Sequence, residues 1–161
     1  MIYIALEILA LLLVANGAPV LAAHFLGTRW QRPIDGGLKL PDGRPLFGGS
    51  KTWRGVISAV GAAALLAAAL GYSVAFGMTF GILVVTGDLL SSFIKRRMGL
   101  APSSRSTGLD QLPESLLPSI YAVAHLGLEW WWAPLYALAF MVVEILVSPP
   151  LFRLHSRKNP Y

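Results

Sequence analysis

The chain contains no cysteine, which excludes disulfides, thiolate metal sites and cysteine nucleophiles. Histidine is almost as scarce: His24, His125 and His155 stand far apart and form no local ligand pair. Charge is thin as well. Only 13% of the residues are charged and 55% are hydrophobic, where soluble domains carry about a quarter charged residues. Its 161 residues suffice for one unit and predict a single membrane-embedded domain over 1–161. No internal repeat is visible.

The charge that is present is confined. The net charge of +5 would suit a nucleic-acid partner, but all 13 Lys and Arg fall in three segments, Arg29–Arg54, Lys95–Arg105 and Arg153–Lys158. The apolar runs between them have none, which is the positive-inside pattern of a polytopic membrane protein and points away from nucleic acid. The first run lacks a basic start and carries Glu7, so it reads as a retained span rather than a signal peptide.

Five spans follow: Ile2–Leu26, Val56–Leu70, Val74–Ile94, Ser115–Leu128 and Leu135–Val147. The expected fold is an all-α integral membrane bundle of five transmembrane helices. Its N-terminus lies outside, and its two long loops and basic tail are cytoplasmic. Pro19, with no N–H to give, predicts a kink that opens the backbone beside Asn16. Pro113 and Pro118 stand where a helix can start, and Pro149-Pro150 are expected to stop the last one. Gly77 and Gly81 allow close helix approach, leaving a homodimer seam open. Trp130, Trp131 and Trp132 read as an outer-leaflet belt, and Glu7 and His125 as structural.

The first basic loop has turn signals at Asp35-Gly36-Gly37 and Asp42-Gly43. Its end, Gly48-Gly-Ser-Lys-Thr-Trp-Arg-Gly55, is not a Walker loop, because Pro45 and Ser50 stand where glycine is needed. Ser50 or Thr52 can still cap the next helix, whose N-terminus suits phosphate, with Lys51 and Arg54 adding charge.

The densest chemistry runs from Gly87 to Glu114. Asp88, Ser91, Ser92 and Lys95, at i, i+3, i+4 and i+7, share one helix face. A carboxylate in a span is expensive and generally functional. Asp88 with Asp110 and Glu114 offers hard oxygen ligands for Mg²⁺. Lys95, Arg96, Arg97, Arg105 and the backbone of Ser103–Gly108 suit a triphosphate. Asn16, Asp88 and Glu144 lie at similar depth and are expected to line one cavity at the cytoplasmic lip, unless Glu144 pairs privately with a loop arginine. Acid and base around a metal at a membrane surface suggest phosphoryl or nucleotidyl transfer onto a lipid phosphate.

Ser92-Phe-Ile-Lys95-Arg96 resembles the opening of the CDP-diacylglycerol synthase signature, whose K-D and P-G-H-G-G parts are missing here. The chain is more similar to the shorter CDP-archaeol synthase family. The likeness rests on N-x-x-P at Asn16–Pro19, D-G and G-x-S-K-T-W-R-G within Asp35–Gly55, G-D-x-x-x-S-F-x-K-R-R at Gly87–Arg97, and D-Q at Asp110. His155 and Asn159 resemble that family's C-terminal end.

The resemblance implies a membrane enzyme joining CTP to a membrane lipid phosphate, of the archaetidic or phosphatidic acid type, with Mg²⁺ and release of pyrophosphate. It implies that Asp88 and Asp110 hold the metal. Lys51, Arg54, Lys95, Arg96 and Arg97 would clamp phosphates beside Thr52 and Ser92, and Asp35 would contact the nucleotide or order its loop. The rival expectation is a small polytopic transporter or scaffold, which predicts polar residues across the whole bilayer.

Overall fold

Five helices make up the computed structural model, which describes residues 2–101 and 108–153: α1 (Ile2–Leu26), α2 (Trp53–Ala69), α3 (Val74–Arg97), α4 (Gln111–His125) and α5 (Trp132–Arg153). Local chemistry sets several of the boundaries. Thr52, in extended backbone, caps α2 by accepting from the Gly55 amide at 3.3 Å. Ser73 does the same for α3, accepting from Phe76 at 3.1 Å; each hydroxyl satisfies an amide that the first turn leaves without a partner.

Two expectations about proline are corrected. α4 begins at Gln111, four residues before the predicted span, so Pro118 lies inside it. The Leu112 amide bonds back to the Gly108 carbonyl at 3.0 Å, and Pro113 falls in the first turn, where a missing N–H costs nothing. α5 runs through Pro149-Pro150 to Arg153 instead of stopping there. Proline accepts helical φ, and each costs the helix one hydrogen bond to the carbonyl four residues back. Pro19 likewise sits inside a continuous α1.

Each helix packs on its successor, and α1 also touches α5, α4 and α3, closing the bundle. The α2–α3 seam is made by small residues. A Cβ on Gly77 would lie 2.6 Å from the Ala64 Cα, and one on Gly81 would lie 2.8 Å from the Val60 Cα. Both glycines are therefore covered by α2 of the same chain and supply no dimer seam. Close backbone approach of this kind is what holds helices together where apolar burial gives no advantage over lipid.

Ile8, Leu11, Leu12, Phe76, Phe80, Val84, Tyr136 and Phe140 fill the middle of the bundle, each at most 4% exposed. The outward faces are apolar too: Leu6, Leu21, Phe25, Leu65, Ile82, Ile120, Leu138 and Leu146 are all exposed. α1 and α3 are long and apolar enough to cross a membrane. Their 25 and 24 residues span about 36 Å at ~1.5 Å per residue. α2 is apolar and shorter.

Antiparallel succession puts the α1–α2 loop, the α3–α4 loop and the end of α5 at one end of the bundle. The α1–α2 loop is ordered without strands. The Ile34 amide bonds the Lys51 carbonyl at 2.9 Å, Trp53 bonds Arg32 at 3.1 Å, and Leu46 bonds Leu38 at 2.9 Å. Both expected turns form. At the other end, Tyr72 donates to the Glu7 carboxylate at 2.6 Å, and burial, with that bond added, raises the Tyr72 phenol to about 12. His125 lies in a ring cluster with Phe76 and Tyr121. Both act structurally, as expected, and Trp131 stacks on Trp132 at 4.5 Å.

Candidate active site

The polar face of α3 reaches the basic end because its side chains repeat at helical spacing on a helix long enough to carry them there. Ser91, Ser92, Lys95 and Arg96 are buried on it, and Asp88 is 37% exposed. Two ion pairs organise the site. Lys51, at the end of the α1–α2 loop, places its Nζ 2.6 Å from both Asp88 oxygens. Lys95 places its Nζ 2.6 Å from Asp110 Oδ1, just before α4. Each pair fastens a loop to α3, and each holds a cation against a carboxylate in a half-buried setting where solvent screens it little.

Gly87 makes this convergence sterically possible. A Cβ there would lie 2.2 Å from the Pro113 carbonyl oxygen and 2.5 Å from the Glu114 Cα. The first turn of α4 therefore rests directly on the α3 backbone beside Asp88. Ser91 ties the same junction, donating to the Gly87 carbonyl at 2.9 Å and lying 3.5 Å from the Asp110 carbonyl. Gln111, 1% exposed, accepts from the Gly108 amide at 2.8 Å and shapes the approach to Asp110. Glu114 is 8% exposed and within electrostatic reach of Asp88, Glu144, Lys51 and Asp110. Acids from α3, α4 and α5 thus share one neighbourhood.

Arg96 is 3% exposed. Its Nη2 donates to the Ala101 carbonyl at 2.9 Å, while Nε and Nη1 have no hydrogen-bond partner among the described residues. Guanidinium N–H groups held out of water without acceptors are costly; an anion's oxygens are the partners they suit.

Other expected site residues are engaged in holding the loops. Asp35 accepts from the amides of Gly37, Phe47 and Gly48 at 2.9, 3.0 and 3.3 Å. Burial raises its pKa, but the amides of Phe47, Gly37 and Gly48 outweigh it and hold the carboxyl below its usual range. Of its two expected roles, it performs the ordering of the loop. Arg97 pairs with Asp42, donates to the Pro45 carbonyl at 2.6 Å and lies over the Phe93 ring, while Arg44 donates back to the Arg97 carbonyl. Arg54 Nη1 donates to the Gly27 and Arg29 carbonyls, both at 2.8 Å. Thr52 Oγ1 is taken by its cap, and the Asn16 amide donates to Leu12 within α1 at 3.0 Å. Arg105, His155, Asn159 and the backbone of 103–107 lie outside the described residues.

Gly87 carries the contact that sequence reasoning missed. It lies ten positions beyond Gly77, so at about 100° per residue it faces a different neighbour from the Gly77 and Gly81 pair. Its place immediately before Asp88 was the available signal. Asp88, Asp110 and Glu114 supply hard oxygens for a divalent cation. Among the described residues no three acidic or histidine side chains converge tightly enough to hold one by themselves. The two aspartates already accept a positive group at 2.6 Å, and their chemistry fits a cation completed by substrate phosphates.

A family model described as CarS-like, CDP-archaeol synthase, matches residues 1–154. A CDP-archaeol synthase of Hyperthermus butylicus is 37% identical over 156 residues, covering 91% of this chain and 82% of the relative. One of Pyrobaculum calidifontis is 32% identical over 160 residues, covering 92% and 91%. A solved structure of an intramembrane enzyme for archaeal membrane lipid biosynthesis superposes with a TM-score of 0.67 at 30% identity, covering 89% of each chain. The two ion pairs, the acids that meet at Gly87 and the buried Arg96 therefore sit in a membrane protein of the CDP-archaeol synthase family, a nucleotidyltransferase.

Proposed function

We propose that the chain is a CTP-dependent cytidylyltransferase that converts a membrane lipid phosphate, of the archaetidic or phosphatidic acid type, to a CDP-lipid with release of pyrophosphate. The observation that carries the proposal is the convergence of the Lys51–Asp88 and Lys95–Asp110 pairs beside Glu114. The five helices all span the bilayer, with the N-terminus outside, and the site faces the cytoplasm of a cell membrane. The positive-inside distribution of Lys and Arg supports that orientation.

Lys51, Lys95 and Arg96 bind the triphosphate and neutralise the charge that grows on the leaving pyrophosphate. On binding, the two lysines turn from their aspartates to phosphate oxygens, and Asp88 and Asp110, with Glu114 behind them, would hold Mg²⁺. When bound, Mg²⁺ supplies charge neutralisation at the phosphates. Arg54, Arg97, Asp35 and Thr52 keep the α1–α2 loop on α3 so that Lys51 stays in place. An oxygen of the lipid phosphate forms a bond to the α-phosphorus as the bond from that phosphorus to the bridging oxygen breaks. The nucleophile is already anionic, so no side chain need take a proton. Positioning and charge carry the rate. A transporter has no support, since Phe76, Phe80, Phe140, Leu11 and Leu12 close the centre of the bundle.

Purified protein with CTP, Mg²⁺ and a panel of lipid phosphates tests the proposal. CDP-lipid forms from at least one; no CDP-lipid from any of them, with folded protein, overturns it.

A further inference from the structure

A cavity lies where the end of α1 meets the start of α2. It measures about 870 Å³ and is lined by Thr28, Trp30, Gln31, Arg32, Pro33, Trp53, Arg54 and Ile57. None of the paired lysines or acids lines it. Trp30 is 75% exposed and Trp53 is 53% exposed, and Ile57 continues the apolar wall one turn into α2. Trp30 holds φ at +59°, which no other described non-glycine residue does. For a bulky side chain such backbone is a true outlier, and outliers of this kind persist where the surroundings enforce them.

Arg54 is fixed by the Gly27 and Arg29 carbonyls and forms the inner wall. Arg32 is exposed and makes no ion pair among the described residues. Its carbonyl is held by the Trp53 amide at 3.1 Å, so its backbone is rigid while its guanidinium is available. Two indoles over an apolar strip, beside a free arginine at the level where apolar helices give way to a basic loop, match a lipid that is apolar below and anionic at its head.

We propose that this cavity binds the phosphate headgroup of an anionic lipid in the leaflet that faces the basic loops, with its chains along Ile57 and the outer side of α1. Arg32 pairs with the phosphate, and Trp30 and Trp53 bracket the glycerol region. The bound lipid fastens the Gly27–Pro33 segment, and through the Pro33–Thr52 bridge it steadies the stretch that carries Lys51. The occupant need not be the lipid that reacts, and this proposal stands or falls separately from the cytidylyltransferase reading.

The test uses the full chain with Trp130→Phe, Trp131→Phe and Trp132→Phe, so that fluorescence reports Trp30 and Trp53. It is reconstituted in phosphatidylcholine vesicles containing a small fraction of lipid brominated near the headgroup. Brominated phosphatidylglycerol, which has no terminal phosphate to be nucleotidylated, is expected to quench at a several-fold lower mole fraction than brominated phosphatidylcholine. Arg32→Glu is expected to remove that preference, and Lys39→Glu, the same charge change elsewhere on the loop, to keep it. Equal quenching by the two lipids, or equal loss in both variants, overturns the proposal. So does full relief of quenching by millimolar inorganic phosphate, which would make the site one for free phosphate.

Discussion

Gly87→Ala adds one carbon where three backbone atoms of α4 already stand, the Pro113 oxygen at 2.2 Å, the Pro113 carbonyl carbon at 2.3 Å and the Glu114 Cα at 2.5 Å. Ordinary carbon contacts lie at about 3.5–4.0 Å, so the overlap exceeds an ångström. No side chain can rotate to relieve it; the first turn of α4 must retreat by roughly 1 Å. Overpacking of that size costs about 1–3 kcal/mol, against about 0.5–1 kcal/mol regained by replacing glycine within a helix.

Stability therefore falls by up to about 2.5 kcal/mol, while Glu114 and Asp110 move relative to Asp88 and Lys95. Misplacement by about 1 Å can cost about 100-fold in rate. The assay is CDP-lipid formation beside thermal unfolding in detergent, with Gly61→Ala as control, because a Cβ at Gly61 meets nothing within 4 Å. Turnover of Gly87→Ala within a few-fold of the parent, with the control equally active, would refute the argument that this contact sets the site.

Lys51→Ala is expected to raise the KM for CTP by about 10-fold or more, as loss of a charged hydrogen bond predicts, and an unchanged CTP dependence contradicts its role. Asp35→Asn should cost roughly 1–2 kcal/mol of stability at neutral pH by weakening charge-assisted bonds to three amides. Because the folded carboxyl titrates below its usual value, that stabilisation is present above the ordinary carboxylate range and lost as pH falls through the folded pKa. The gap between the melting curves of parent and variant should thus begin to narrow near pH 4 and close below the folded pKa; a gap that does not narrow as the pH is lowered goes against it. Arg97→Gln should free the Asp42–Pro45 turn, which is bridged to Lys39, and speed tryptic cleavage after Lys39; cleavage at the parent's rate would show that the turn is held by other contacts.

The helices were legible because their boundaries are local. Thr52 and Ser73 cap, apolar runs fill the interiors, and the α2 and α3 starts fall within three residues of the reading. Proline misled it at Pro118 and Pro149, since a single residue does not say whether the turn around it can do without one amide. Asp88, Lys95, Asp110 and Lys51 were legible as a charged set, one helix face plus two loop ends. Their pairing was not. Which lysine meets which aspartate depends on how loops fold over α3, and that follows from the close seating of α4 on Gly87. Asp35 and Arg97 show the same limit, because their charges suit a phosphate site as well as the backbone amides and carbonyls they actually bind.

The most direct measurement follows label from [α-³²P]CTP into lipid for the parent, Asp88→Asn and Asp110→Asn, each with and without Mg²⁺. The account predicts label in lipid for the parent only with Mg²⁺. Neither variant should transfer label, although both insert into membranes and unfold near the parent's temperature. Transfer at the parent's rate by both variants would contradict it.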